Sequence, residues 1–171
     1  MAAESPICDF GWQAPRFTLN TPDGTAHDLA THLAAGPVLV AFLCNHCPYV
    51  KRIAAEMAGV AAALAADGIS TLGIMSNDYR DYPADAPDKM APFAAERGWA
   101  FPYLVDEDQS VGRAFDAQCT PDFFGLNSDG GLRYRGRLNE LEDAMRLIKT
   151  TGQGPREQIP SMGCSIKWTR G

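Results

Sequence analysis

The chain has 171 residues, of which 46% are hydrophobic and 21% charged, a composition typical of one globular domain with a substantial core. Its net charge of −6 argues against nucleic acid or an anionic membrane as a main partner. The N-terminus lacks an apolar segment of signal-peptide length, and the low-charge stretches 33–47 and 58–66 are too short to span a bilayer. We therefore expect a cytoplasmic protein whose five cysteines are reduced, catalytic or metal-binding rather than a structural disulfide framework.

Turn signals and apolar periodicity divide the chain into alternating strands and helices. Pro22-Asp23-Gly24 marks the turn of a first hairpin. The unbroken apolar run 37–43 predicts a strand buried on both faces, and the helix after it ends at Asp67-Gly68. In chain order, we predict strands at 17–19, 26–29, 37–43, 69–75, 100–105, 123–126 and 132–134, and helices at 50–64, 88–98, 109–117 and 138–150.

Two segments carry no regular pattern, a loop at 76–87 and a tail at 151–171. We also expect the N-terminus around Cys8 to be mobile and assign that cysteine no role. The order of the elements predicts an α/β three-layer sandwich with a mixed sheet. The whole chain, 1–171, is expected to form a single domain that ends in an irregular tail.

Residues 44–48 are Cys-Asn-His-Cys-Pro, and they lie where the buried strand 37–43 gives way to a helical pattern. Free backbone N–H groups and the positive end of a helix dipole stabilise a negative sulfur. A thiol placed there can have its pKa lowered from about 8.5 to roughly 3.5–7.5. A second thiol three residues away can then attack any mixed disulfide that the first one forms. The motif favours a redox pair over half of a zinc site or two packed thiols.

With this motif in place, the order of elements resembles the thioredoxin fold, and within it the redoxin branch of alkyl-hydroperoxide-reductase and thiol-specific-antioxidant (AhpC/TSA) proteins. Residues 11–19, Gly-Trp-Gln-Ala-Pro-Arg-Phe-Thr-Leu, match the opening segment of that branch. Thr120-Pro121 stands where the fold has a cis-proline facing the two cysteines. The chain most resembles peroxiredoxin-like thioredoxin-family proteins with Cys-Asn-His-Cys-Pro-Tyr-Val-Lys, here 44–51. Further motifs of that group lie at 77–90, 101–107, 134–137 and 163–168.

The resemblance implies a thioredoxin-like α/β/α sandwich with a mixed central sheet and an N-terminal β-hairpin extension. It implies a thiol–disulfide oxidoreductase in which Cys44 attacks a substrate disulfide and Cys47 resolves the mixed disulfide. Thr120 and Pro121 would line the substrate groove. The expected partners are protein or small-molecule disulfides and a cellular dithiol reductant, such as a thioredoxin or glutathione system. Neither a cofactor nor a metal is expected.

Two alternatives remain open. The first is a thiol peroxidase, but true peroxiredoxins need a Thr or Ser three residues before the peroxidatic Cys. If Cys47 aligns with that Cys, Cys44 stands where the hydroxyl should be, and Val40 replaces a proline upstream of it. The second is a redox-sensing or metal-binding module that uses Cys44 and Cys47 with one or two of His46, Cys119 and Cys164.

The roles of single residues in the site are also open. Pro48 is most comfortable in the first helical position, which could place Cys47 at the N-cap and Cys44 in the loop, although we favour Cys44 as the nucleophile. His46, as an imidazolium, would stabilise a nearby thiolate, or it simply faces solvent. Cys119 could approach the pair or be a buried apolar residue. Cys164 could fold back over the site as a third redox thiol or pack the tail down.

Overall fold

The structure, a computed structural model, describes residues 2–170. The strands β1 to β10 are Ala2–Glu4, Thr18–Asn20, Ala26–Asp28, Val38–Phe42, Ser70–Met75, Tyr103–Val105, Cys119–Thr120, Asp122–Leu126, Leu132–Tyr134 and Met162–Ser165. The α-helices α1 to α5 are Leu29–Ala35, Pro48–Ala66, Pro87–Arg97, Ser110–Ala114 and Leu141–Thr151. Two short 3-10 helices lie at Pro83–Asp85 and Leu138–Glu140.

The central sheet has seven strands in the order β3-β2-β6-β5-β4-β8-β9. Strand β4 lies inside it, parallel to β5 and antiparallel to β8. The hairpin of β2 and β3 extends the sheet beyond β6, to which β2 is antiparallel. The expected mixed sheet with an N-terminal hairpin is therefore confirmed.

Alternate residues of β4 serve two cores, one on each face of the sheet. Leu39 and Ala41 belong to a core built with α2, α3 and α5. Val38, Val40 and Phe42 belong to a second core, formed with α1 and α4 on the opposite face. All five side chains are fully buried. A strand covered by helices on both faces needs apolar residues at every position, which is why the sequence shows no alternation there.

The largest difference from the sequence prediction concerns the two ends of the chain. Strand β10 forms in the segment predicted as an irregular tail, and β1 forms in the segment predicted as mobile. Together with β7 they make a second sheet in the order β1-β10-β7. Ala2 pairs with Cys164, which also pairs with Thr120. These pairings join positions far apart in the chain, so local sequence pattern gives no sign of them. Met1 and Gly171 lie outside the described residues.

Several helix boundaries also differ from the prediction. Helix α1 was not predicted, although Asp28 caps it by accepting a hydrogen bond from the Ala30 N–H at 3.2 Å. Helix α3 begins at Pro87, so Asp88 lies in its first turn instead of capping it. Proline supplies the backbone angle that the first helical position requires and has no N–H to leave unpaired there.

None of the helices within residues 2–170 combines the length and the apolar character needed to cross a bilayer.

A buried ion pair lies at the start of β8, directly after Pro121. Arg135 donates two hydrogen bonds to Asp122, at 2.8 and 3.2 Å, and its guanidinium lies 4.2 Å from the centre of the Phe124 ring. Asp122 also accepts from the Gln118 N–H at 2.9 Å. Both charged side chains are nearly inaccessible to water, so each depends on the other for compensation.

Replacing Arg135 with Met should therefore lower the free energy of unfolding by about 3–5 kcal/mol, because the Asp122 carboxylate is left buried without its partner. Urea denaturation followed by circular dichroism measures this change. The matched control is Arg156→Met at an exposed position, which should change stability by less than about 0.5 kcal/mol. Equal midpoints for the two variants would contradict a structural role for the pair.

Candidate functional site

The CxxC motif spans the junction between β4 and α2. Pro48 is the first residue of α2, and Cys47 is its N-cap, with extended backbone angles of φ −69° and ψ 124°. A residue before proline disfavours helical geometry, so Pro48 both starts the helix and keeps Cys47 outside it. Cys44 lies one step back in the loop. This is the arrangement that Pro48 suggested, and it places Cys47 nearer to the helix N-terminus than Cys44.

The Thr120-Pro121 segment faces both cysteines. The peptide bond between these residues is cis, as the resemblance implied. The Thr120 hydroxyl lies 3.4 Å from the Cys44 sulfur, and the Cys47 sulfur lies 3.2 Å from the Thr120 carbonyl oxygen. The structure thus brings four of the predicted site residues together. Both cysteine side chains have no exposed surface, so the site is covered in this conformation.

The two thiols of the motif have opposite electrostatic environments. A hydrogen bond from Cys44 is the largest cause that lowers the pKa of Cys47, followed by a hydrogen bond from Cys164 and the backbone N–H of Val50 in the first turn of α2. Contact with the Thr120 carbonyl favours the protonated thiol, but the donors around the sulfur outweigh it. The same hydrogen bond to Cys47, together with burial, raises the pKa of Cys44 well above its ordinary value. Cys47 is therefore the more acidic thiol of the pair, and Cys44 is the less acidic one.

A buried carboxylate that the sequence reasoning missed holds the CxxC loop in place. Asp85 has no exposed surface and accepts hydrogen bonds from the backbone N–H groups of Asn45 and His46, at 2.7 and 3.2 Å. It also accepts from the side-chain amide of Asn77 at 3.0 Å. Its negative charge contributes to the raised pKa of Cys44. Asn77 and Asp85 both lie in the 77–90 motif of the resemblance, which is the signal that could have pointed to them.

His46 is turned towards Asp85. Its Nδ1 lies 2.5 Å from the Asp85 carboxylate, and its ring stacks on Tyr82 with an interplanar angle of 10°. The side chain is about one quarter exposed. An imidazolium in this position is compensated by Asp85, and the strongest effects on Cys47 come from the neighbouring thiols and backbone instead. A direct role of His46 in stabilising the thiolate stays a prediction.

The two auxiliary thiols occupy different surroundings. Cys164, in β10, is only partly buried, lies in register with Thr120 and packs against the core that contains both CxxC cysteines. Cys119 is fully buried, its sulfur contacts the Pro121 carbonyl oxygen at 3.4 Å, and burial raises its pKa. Of the two, Cys164 is the one whose interaction affects the pKa of a CxxC thiol. Within residues 2–170 all five cysteines are free thiols.

One group of side chains has donor atoms close enough to share a metal ion. The ligand atoms of Cys44, His46 and Asp85 lie within 4.8 Å of one another. Thiolate, imidazole and carboxylate are ligands of transition metals such as zinc. However, the Asp85 oxygens already accept from three donors and contact His46, and Cys44 holds its proton. A metal would have to displace these bonds, so the arrangement fits a positioning network better than a metal centre.

Comparisons with known proteins agree with this fold. The AhpC/TSA family matches residues 10–135. A search of curated proteins found no match. An uncharacterized conserved protein from Geobacillus kaustophilus is 37% identical, with a TM-score of 0.92, covering 100% of this chain and 98% of that one.

Two more distant solved structures share the fold, and both come from Mycobacterium tuberculosis. A secreted disulfide oxidoreductase is 24% identical, with a TM-score of 0.58 over 68% of this chain and 79% of its own. The peroxidoxin BcpB is 23% identical, with a TM-score of 0.60 over 73% of this chain and 82% of its own. The match to the family covers most of the chain. The chain therefore belongs to the AhpC/TSA family, the redoxin branch of the thioredoxin superfamily.

Proposed function

We propose that the protein is a thiol–disulfide oxidoreductase whose redox pair is Cys44 and Cys47. Membership of the AhpC/TSA family supports an oxidoreductase of the thioredoxin type. The assignment of Cys44 and Cys47 as the redox pair rests on one observation, the difference between the surroundings of the two thiols. One thiol is the N-cap of α2 with a lowered pKa, the other has a raised pKa because of its interaction with the first and its burial, and both face Thr120. Such a pair supplies an attacking thiolate and a nearby thiol that resolves the product.

In the proposed reaction, the Cys47 thiolate attacks a substrate disulfide. A bond forms between the Cys47 sulfur and one substrate sulfur, and the other substrate sulfur leaves as a thiolate. Cys44 then gives up its proton and attacks the Cys47 sulfur, which releases the second substrate thiolate and leaves a Cys44–Cys47 disulfide. A cellular dithiol, such as a thioredoxin or glutathione system, reduces this disulfide and closes the cycle. A reducing compartment such as the cytoplasm supplies that reductant.

This scheme reverses the roles that the sequence favoured for the two cysteines. The sequence placed the nucleophile at Cys44, by analogy with the exposed first cysteine of thioredoxin-type motifs. Cys47 is better supported, because it is the N-cap and its pKa is lowered, whereas the pKa of Cys44 is raised. Thr120 and Pro121 keep their proposed place beside the substrate sulfurs.

The reversible formation of the Cys44–Cys47 disulfide is the first test. Purified protein equilibrated with defined ratios of reduced and oxidised glutathione should give a single disulfide between these residues, read by peptide mass spectrometry. Cysteines three apart at a helix start can reach the S–S distance without moving the backbone far. Cys8→Ser should give the same titration curve. If the pair stays reduced at every ratio while the fold is intact, the oxidoreductase proposal fails.

The pH dependence of alkylation should show which thiol is the nucleophile. A lowered pKa means that Cys47 remains a thiolate as the pH falls below the ordinary thiol range, so its labelling by iodoacetamide should persist at neutral pH. A raised pKa means that Cys44 should be labelled only at strongly alkaline pH. Peptide mass spectrometry of samples quenched across the pH range gives both profiles. The Cys119→Ser variant should leave them unchanged, and a Cys44 profile that runs below that of Cys47 would reverse the assignment.

A thiol peroxidase is the second candidate, and the thiolate at Cys47 is the observation that favours it. If Cys47 aligns with the peroxidatic position, its oxidation to a sulfenic acid would be resolved by Cys44. Cys44 itself, however, replaces the hydroxyl that orients a peroxide, and its thiol is a weak hydrogen-bond donor.

We therefore expect peroxide to oxidise the protein more slowly than a low-molecular-weight disulfide at equal concentration. Stopped-flow tryptophan fluorescence of the reduced protein, mixed with hydrogen peroxide or with glutathione disulfide, measures both rate constants. Cys44→Thr restores the hydroxyl at the expected place and should raise the ratio of the peroxide rate to the disulfide rate, whereas Cys44→Ala should not. A wild-type rate constant for peroxide above that for disulfide would make the peroxidase the leading function.

A further inference from the structure

The chain's own C-terminal segment lies along the edge of the redox site. Strand β10 pairs antiparallel with β7, in the register Cys164 to Thr120 and Ser165 to Cys119. Thr120 is the residue whose hydroxyl and carbonyl contact the two CxxC sulfurs. An extended peptide that binds by strand addition uses the backbone groups of such an edge. Strand β10 thus occupies the place that an extended substrate would take.

Specific contacts hold β10 in this place. A Cβ atom at Gly163 would lie 2.0 Å from the Thr120 carbonyl oxygen, so the close approach requires glycine. Ser161 is buried and donates a hydrogen bond to the Pro121 carbonyl at 2.7 Å. On its other side, β10 pairs with β1 through Ala2, Ala3 and Glu4. Strand β10 is therefore an integral part of the fold, paired with a strand on each side.

This position of β10 places Cys164 beside Cys47, the nucleophile of the proposed function. Cys164 lies in register with Thr120, whose carbonyl oxygen contacts the Cys47 sulfur, and it packs against the core that contains both CxxC cysteines. Interaction with Cys164 is also among the causes that lower the pKa of Cys47. Cys47 thus has two thiol neighbours, and either could become its disulfide partner. Cys119 lies nearby in β7, but its sulfur contacts the Pro121 carbonyl oxygen instead.

We propose that Cys164 is the third thiol of the redox site and exchanges with the Cys44–Cys47 disulfide to form a Cys47–Cys164 disulfide. Cys164 loses its proton to solvent, and its thiolate attacks the Cys47 sulfur. The Cys44–Cys47 bond breaks, and Cys44 leaves as a thiolate that takes up a proton. One disulfide replaces another, so the exchange needs no further oxidant. This inference rests on the proposed function, because the Cys44–Cys47 disulfide supplies the bond that is exchanged.

The exchange has a consequence for access to the site. Substrate must displace β10 to reach the sulfurs, since neither CxxC side chain is exposed. A Cys47–Cys164 disulfide ties β10 covalently over the groove and leaves Cys44 as a free thiol. The oxidised protein is then closed to extended substrates until a dithiol reductant opens the bond.

Variants in which one cysteine at a time is replaced by serine separate this inference from the proposed function. Each variant is oxidised with glutathione disulfide and mapped by non-reducing peptide mass spectrometry. Cys44→Ser should give mainly a Cys47–Cys164 disulfide, and Cys164→Ser should give mainly a Cys44–Cys47 disulfide. The wild-type map should contain both, and the Cys119→Ser map should match it. If Cys44→Ser instead accumulates glutathione on Cys47 while Cys164 stays reduced, the inference is overturned. If Cys164→Ser forms no Cys44–Cys47 disulfide, the proposed function fails.

A backbone variant tests whether the seating of β10 brings Cys164 into reach. Gly163→Ala, in the Cys44→Ser background, should lower the initial rate of Cys47–Cys164 disulfide formation by roughly tenfold, because the local concentration of the Cys164 thiol at Cys47 falls when β10 shifts. Gly59→Ala in the same background is the matched control, since that exposed helical position has open space for a Cβ. Equal rates in the two variants would show that the pairing of β10 with Thr120 does not position Cys164.

Discussion

The redox site depends on one short piece of backbone, the Thr120-Pro121 segment. It contacts both sulfurs of the CxxC motif, pairs with Cys164 in β10, and accepts a hydrogen bond from Ser161 through the Pro121 carbonyl. It also leads directly into β8, which lies beside β4 in the central sheet. Because β4 in turn leads into the CxxC loop, the sheet fixes the distance between the two halves of the site. A shift of this segment would disturb the thiols, the tail and the sheet together.

The asymmetry between the two thiols follows from how the CxxC loop is anchored. Pro48 starts the helix and leaves Cys47 at its N-cap, where backbone donors stabilise an anion. Asp85 fixes the loop that precedes Cys47 by accepting hydrogen bonds from the N–H groups of Asn45 and His46. It also places a negative charge near Cys44. Hydrogen-bond donors around the Cys47 sulfur lower its pKa, and the negative charge of Asp85 contributes to the raised pKa of Cys44. In the proposed function, this difference makes Cys47 the nucleophile and Cys44 the resolving thiol.

The tail gives the site a property that a bare thioredoxin-like core would lack. Strand β10 supplies backbone partners to β7 and places Cys164 against the core that contains both CxxC cysteines, which are fully buried. Burial strengthens the hydrogen bonds around the two sulfurs. Under the proposed function, an extended substrate would compete with β10 for the edge of β7. The strength of that pairing would then set how readily disulfides of different size react, and small disulfides would be affected least.

The sequence by itself determined the features that arise from contacts between near neighbours. The apolar run 37–43 required a strand buried on both faces, Pro48 required a helix start, and the CxxC spacing required two thiols within reach of each other. The family resemblance added the prediction that Thr120-Pro121 faces the two cysteines. Only the tertiary structure decided that Asp85 holds the loop and that Cys164 lies close to Cys47, since these contacts join residues at least 39 positions apart in the chain. Local pattern records propensity and burial, whereas the partners of a buried carboxylate or an edge strand are chosen by the packing of the whole domain.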